Sequence, residues 1–115
     1  MSIQPTYVTF EQAKFIDYPY LTDTGYSNNG NVLIRKNFIP TNGWINRPEQ
    51  WQVVEWLRVN PGIWIDIRYM DNVAEFGYII TSIPINTEHN EKYYFSSPQE
   101  AISAAFDYIR ENNLI

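Results

Sequence analysis

Three places in this 115-residue chain set an indole close to a cation: Trp44 and Arg47 in "GWINR", Trp51 in "NRPEQW" just after Arg47, and Trp64 and Arg68 in "WIDIR". Indole and guanidinium are enriched among the anchors of protein interfaces. The same pair can hold a nucleotide, with a base stacked on the ring and a phosphate on the cation. With Arg35 and Lys36, these residues form a candidate ligand- or partner-binding set: Trp44, Arg47, Trp51, Trp64, Arg68, Arg35 and Lys36. A second candidate is acidic. Glu88, Glu91 and Glu100 would meet a basic groove on a protein partner.

Covalent and metal chemistry find little support. His89, the one histidine, lies in the polar stretch "NTEHNEK" beside Glu88 and Glu91 and reads as a surface residue. A catalytic role would need a nucleophile and an orienting group that the spacing does not supply. No HExxH, P-loop, GxGxxG or EF-hand pattern occurs. Asp17, Asp23, Asp66 and Asp71 have no ligand-like spacing, and nothing selects a carboxylate pair for acid–base work. Cysteine is absent, which removes disulfides, thiolate metal sites and thiol nucleophiles from these residues. The expectation is a non-enzyme with no catalytic residues, no metal and no cofactor.

Charge narrows the partners. The formal net charge is −5, which disfavours nucleic acid, whose affinity comes from Lys and Arg at phosphates. Residues 35–68 carry Arg35, Lys36, Arg47, Arg58 and Arg68 against Glu49, Glu55 and Asp66. From Tyr69 onward, Lys92 and Arg110 face Asp71, Glu75, Glu88, Glu91, Glu100, Asp107 and Glu111. This is either ordinary solvation or a polarised binding surface. No run approaches the length of a membrane span. "MSIQPTYVTFEQAKF" lacks the basic and apolar regions of a signal peptide, so a cytoplasmic location is expected.

The elements that must position these residues can be read from pattern. With 44% hydrophobic and 18% charged residues, a single domain over residues 1–115 is expected. Thr9 and Gln12 fit a capping box for a first helix that stops before Pro19. "LTDTGYSNNGN" reads as a loop, "VLIRKNFI" as a short strand and "PTNGW" as a turn. A second helix begins near Arg47-Pro48 and ends at Asn60-Pro61-Gly62. "IWIDIRYM" alternates: Ile63, Ile65, Ile67 and Tyr69 share one face, and Trp64, Asp66, Arg68 and Met70 the other. A two-residue Asp71-Asn72 turn would pair Ile67 with Phe76, Ile65 with Tyr78, Ile63 with Ile80 and Arg68 with Glu75. After the polar loop "NTEHN", "EKYYFS" is a third strand, and Ser97-Pro98-Gln99-Glu100 opens a last helix with its core stripe at Ile102, Ala105, Phe106 and Ile109.

The reading is an α+β fold: an N-terminal helix and short strand, then α-β-β-β-α, with a three-stranded antiparallel meander packed by helices on one face. Five positions separate Trp51 from Trp56 by roughly 140° around a helix. Wrapping of the helix that buries both indoles is the first expectation, with one exposed indole the alternative. Trp64 would lie on the sheet face away from the helices. It would be covered by the N-terminal segment, by a second copy in a homodimer, or by a ligand or host protein.

The α-β-β-β-α order, with "SPQEAISAA" opening the last helix, is similar in topology to a double-stranded-RNA-binding domain over roughly residues 47–112. That family reads duplex RNA partly through lysines at the start of its last helix. Ser97, Pro98, Gln99 and Glu100 stand there instead, so RNA binding is not expected. "TFEQAKF" at residues 9–15, "VVEWLR" at 53–58 and "SPQEAISAAFDYIRENNLI" at 97–115 together resemble a group of small accessory proteins of tailed phages and prophages. The resemblance implies a mobile-element accessory gene and assigns no residue a role. It points to a non-enzymatic inhibitor of a host protein, one of antiviral defence among the candidates. A sponge for a small signalling nucleotide and a structural or virion-assembly role are the alternatives. Substitutions at Trp64 or Arg68 should abolish a sponge, whereas charge reversal at Glu88, Glu91 and Glu100 should abolish an acidic-face inhibitor.

Overall fold

Thr9 fixes the first helix. In the computed structural model, which describes residues 5–35, 43–83 and 87–115, its hydroxyl accepts from the Gln12 N–H at 3.2 Å, and the Gln12 side chain accepts from the Thr9 N–H at 3.1 Å. This reciprocal cap satisfies two donors that the first turn leaves open. Helix α1 spans Phe10–Ile16 and ends at Asp17 in the left-handed region, φ 50°. Strands β1 (Thr24–Tyr26), β2 (Val32–Ile34) and β3 (Ile45–Asn46) form a small antiparallel sheet in the order β2-β1-β3. The chain divides into two compact units, Met1–Glu49 and Gln50–Ile115.

In the first unit, "LTDTGYSNNGN" is not all loop: "TGY" is the central strand β1. Gly25 has a positional reason. A Cβ there would stand 2.6 Å from the Trp44 indole and 2.8 Å from the Ile45 carbonyl oxygen. The turn lies in the residues that follow, where the Ser27 hydroxyl accepts from the N–H groups of Asn29 and Asn31 and Gly30 adopts φ +85°. The second half of "VLIRKNFI", from Lys36 onward, lies outside the described residues.

The second unit runs α2 (Gln50–Val59), β4 (Ile63–Met70), β5 (Glu75–Ser82), β6 (Thr87–Phe95) and α3 (Pro98–Glu111), with the sheet in the order β4-β5-β6. This is the expected antiparallel meander with helices. Helix α2 starts later than Arg47-Pro48 because that backbone is used otherwise. The Pro48 carbonyl accepts from the Val8 N–H at 3.1 Å, and Glu49 bridges to Tyr7. Its buried stripe is Gln50, Val53 and Leu57, positions i, i+3 and i+7. Trp51 falls outside that stripe and is 65% exposed, so the helix is not wrapped at that edge. Helix α3 starts as its sequence dictates, with Ser97 as cap and Pro98 at the first position. Its buried face is Ala101, Ala105, Phe106 and Ile109 rather than Ile102, which is only half-buried.

The β4–β5 register differs from the two-residue-turn expectation. The connection is Asp71–Ala74, with Ala74 at φ 53°, and the pairs are Ile63↔Ser82, Ile65↔Ile80, Ile67↔Tyr78 and Arg68↔Gly77. Arg68 is therefore not opposite Glu75. Two adjacent positions both requiring φ > 0 suit Asn-Gly better than Asp-Asn, and four-residue loops are a common solution. The shift is two residues, an even number, so every side chain keeps its expected face. Helices α2 and α3 pack on β4 and β5, and Ile63, Ile65, Tyr78 and Ile80 are buried beneath them. The same row is open at its far end, where Tyr69 is 57% exposed. Strand β6 begins at Thr87, so most of the expected loop "NTEHN" is strand, bent by register shifts on either side of the central pairs.

Two measurements check this packing. A Cβ at Gly77 would meet the Tyr93 ring at 2.1 Å and the Lys92 carbonyl oxygen at 2.8 Å, so Gly77→Ala must push β5 and β6 apart. Urea unfolding should show a loss of about 1–3 kcal/mol, and an unchanged midpoint would contradict this packing. At the head of α3, the Ser96 hydroxyl and N–H donate to Glu100 at 2.6 and 3.1 Å and hold its carboxyl below the ordinary value. A lowered folded pKa contributes stability that is complete above the unfolded value, about 4.3, and lost as pH falls through the folded value. Glu100→Gln should therefore flatten the acid limb of the stability–pH curve.

Candidate functional site

Alternation along β4 sends Trp64, Asp66 and Arg68 to the face opposite α2 and α3, and the register places Thr81 and Ile79 of β5 across from Trp64 and Asp66. Thr81 in turn pairs with Glu88 of β6, and Ile79 with Glu91. The result is a shallow cleft of about 310 Å³ lined by Trp64, Asp66, Arg68, Ile79, Thr81, Ile83 and Glu88. Trp64 is 37% exposed, whereas Ile79 is 8% exposed and forms an apolar floor.

The charges of this face are committed to one another in a definite way. The Arg68 Nε donates to Asp66 Oδ2 at 3.0 Å, and this contact, first of all, holds the guanidinium above its ordinary value. The Tyr93 hydroxyl donates to Glu91 at 2.8 Å, which pushes the phenol up. One guanidinium thus stands among the carboxylates of Asp66, Glu88 and Glu91. The face is net acidic and carries an indole at its edge.

The structure divides the residues singled out by the sequence. Trp64 and Arg68 share the outer face of the sheet, and Glu88 and Glu91, assigned by sequence to a rival acidic face, belong to that same face. Glu100 is apart from them, in the first turn of α3. Trp51 is on α2. Trp44, Arg47 and Arg35 belong to the first unit. There the Trp44 Nε1 donates to Asn46 Oδ1 at 2.9 Å, and its ring lies against Gly25. Arg47 stacks on Tyr7 at 3.8 Å and lies 5.5 Å from the Tyr26 ring, and its Nη1 reaches the Thr24 hydroxyl at 3.3 Å. These two residues hold their own unit together. Arg35 is exposed beyond β2, and Lys36 lies outside the described residues.

Two features were not legible in the sequence. His89 is half-buried in β6, and its Nε2 hydrogen-bonds the Ser82 hydroxyl. The pair is a hydroxyl and a base, yet among the described residues no carboxylate hydrogen-bonds the imidazole to orient it, as a nucleophile–base pair requires. The second is a polar cleft of about 370 Å³ beside α3, lined by Tyr78, Asn90, Lys92, Ala104, Asp107, Tyr108 and Glu111. Its hydroxyls are satisfied internally: Tyr78 donates to Asn90 Oδ1 at 2.6 Å and Tyr108 reaches the His89 carbonyl at 3.4 Å. Burial, then Tyr108 and Glu111, push the Tyr78 phenol up. The register of β5 against β6, with its bulges, and the packing of α3 on both strands bring these groups together. Among the described residues no group of three or more His, Asp or Glu is placed to share a metal ion.

The division of roles is testable at Arg47. Arg47→Leu keeps the apolar stem and removes the cation between two aromatic rings. It should destabilise the protein by about 1–2 kcal/mol in urea unfolding, and an unchanged unfolding midpoint would contradict a structural role for this cation. Comparison of the chain with protein-family models, with curated proteins and with solved structures found no match.

Proposed function

We propose that this chain is a binding protein rather than an enzyme, and that it acts by docking the outer face of the β4-β5-β6 sheet onto a basic protein surface. In the setting suggested by the phage-protein resemblance, the partner is a host protein, one of antiviral defence among the candidates, and docking inhibits it. The observation that carries this reading is the juxtaposition of Trp64 with Asp66, Glu88 and Glu91 on one open face. An indole at the edge of an apolar floor supplies contact area, and the surrounding carboxylates supply attraction to cations and rejection of anions.

The same arrangement weighs against a nucleotide sponge. A phosphate approaching Arg68 would displace Asp66 and meet Glu88 and Glu91 as well. Arg47, the other cation proposed for that role, is stacked on Tyr7 within the first unit. Among the described residues no helix is long and apolar enough to cross a membrane.

The test is capture from host lysate with the wild-type chain, Trp64→Ala and the double variant Glu88→Lys/Glu91→Lys. The wild type should retain a protein whose yield falls as salt rises. Trp64→Ala should weaken retention by at least about tenfold, the range of an interface anchor, and the charge reversal should abolish it. Retention that survives both sets of substitutions would refute the assignment of this face.

A further inference from the structure

Strand β4 is the edge of its sheet, with β5 as its only strand partner among the described residues. We propose that two copies of this chain associate through antiparallel pairing of their β4 strands, centred on Ile67, to form one six-stranded sheet. This inference stands independently of the proposed function.

The hydrogen-bonding parity of the edge is fixed by one contact. The Ile83 N–H donates to the Gly62 carbonyl at 2.8 Å, so Gly62 and Ile83 are a hydrogen-bonded pair of the β4–β5 ladder. The register is unbroken from Ile63↔Ser82 to Met70↔Glu75. Hydrogen-bonded pairs alternate along an antiparallel ladder. Trp64, Asp66, Arg68 and Met70 therefore direct their N–H and C=O groups at β5. Those of Ile63, Ile65, Ile67 and Tyr69 point out of the open edge.

Natural edges are commonly guarded against pairing by proline, lysine, bulges or short length. The two edges of this sheet differ in that respect. Strand β6 is interrupted by two register shifts, and Tyr94 within it is held at φ +76°. Strand β4 is eight residues long, regular, and contains no Pro, Gly or Lys.

The sequence of β4 then selects the register. Because its outward groups belong to odd-numbered residues, a symmetric pair of β4 strands can shift only in steps that keep odd residues opposite odd ones. Centring on Asp66 would oppose the two Asp66 carboxylates, and centring on Arg68 would oppose the two guanidinium groups. Centring on Ile67 sets Asp66 of each copy opposite Arg68 of the other, Ile65 opposite Tyr69 and Trp64 opposite Met70. Opposite charges directly across a ladder stabilise it and like charges destabilise it. Each Arg68 already holds Asp66 of its own strand at 3.0 Å, so the paired edge would carry a closed ring of four alternating charges. Tyr69, 57% exposed in the single copy, would gain a cross-strand neighbour in Ile65. A two-fold pairing of this kind is isologous and closes on itself, giving a dimer and not a fibre.

Sedimentation velocity of the full chain at about 100 µM, where an interface with a micromolar dissociation constant is largely occupied, should show a dimer. Asp66→Arg alone gives a chain with two cations at the edge, and Arg68→Asp alone gives one with two carboxylates. Each should sediment as a monomer, and an equimolar mixture of the two should restore the dimer. The double exchange in one chain keeps both the intrastrand pair and the cross-strand pairs and should dimerise like the wild type, which serves as the control if a single variant fails to fold. A wild-type monomer would overturn the proposal, as would a dimer that survives both single variants. Folded single variants that remain monomeric when mixed, or a folded double-exchange chain that stays monomeric, would overturn the register and with it the proposal.

Discussion

The burial of Ile63, Ile65, Tyr78 and Ile80 beneath α2 and α3 is the constraint on which the arrangement of the second unit depends. A strand has two faces and a period of two, so once these side chains are committed to the helical layer their neighbours have one place to go. Trp64, Asp66 and Arg68 are carried to the opposite face, together with Ile79 and Thr81. The outer face is thus not an independent invention. It is the complement of the core, and its character is set by the residues that the core does not take.

That complement has an unusual composition for a solvated surface. Ile79 is nearly buried although it lies on the face away from α2 and α3, Trp64 is partly open, and three carboxylates share the face with one guanidinium. The cations and indoles that were candidates from sequence thus take different roles. Arg47 and Trp44 work inside the first unit, one between tyrosine rings and the other against Gly25. What remains on the sheet is an indole in a field of carboxylates, which is suited to a basic protein surface and poorly suited to a phosphate.

Legibility followed the physical strength of each signal. The faces of β4 and β5 can be read because a buried row of alternating residues leaves only even shifts available, and the longer Asp71–Ala74 turn is such a shift. The caps at Thr9 and Ser97 were legible because side-chain capping is local chemistry. Strand β1 was not legible, since Gly25 looks like a turn residue and is in fact required by the indole that packs on it from a distant part of the chain. The same holds for Arg47, whose partners Tyr7 and Tyr26 are far away in sequence. The union of Glu88 and Glu91 with Trp64 and Arg68 on one face depended on the path of β6, whose bulges no local pattern announces. The exposure of Trp51 depended on how narrow a stripe of α2 the sheet and α3 cover, again a tertiary matter.

The most direct measurement is native mass spectrometry of the protein recovered intact from a host lysate. Docking of the outer sheet face onto a basic protein predicts an added mass of a whole protein on the chain or its dimer, released as ionic strength is raised. An added mass of only a few hundred daltons would mean a captured small molecule and would contradict it.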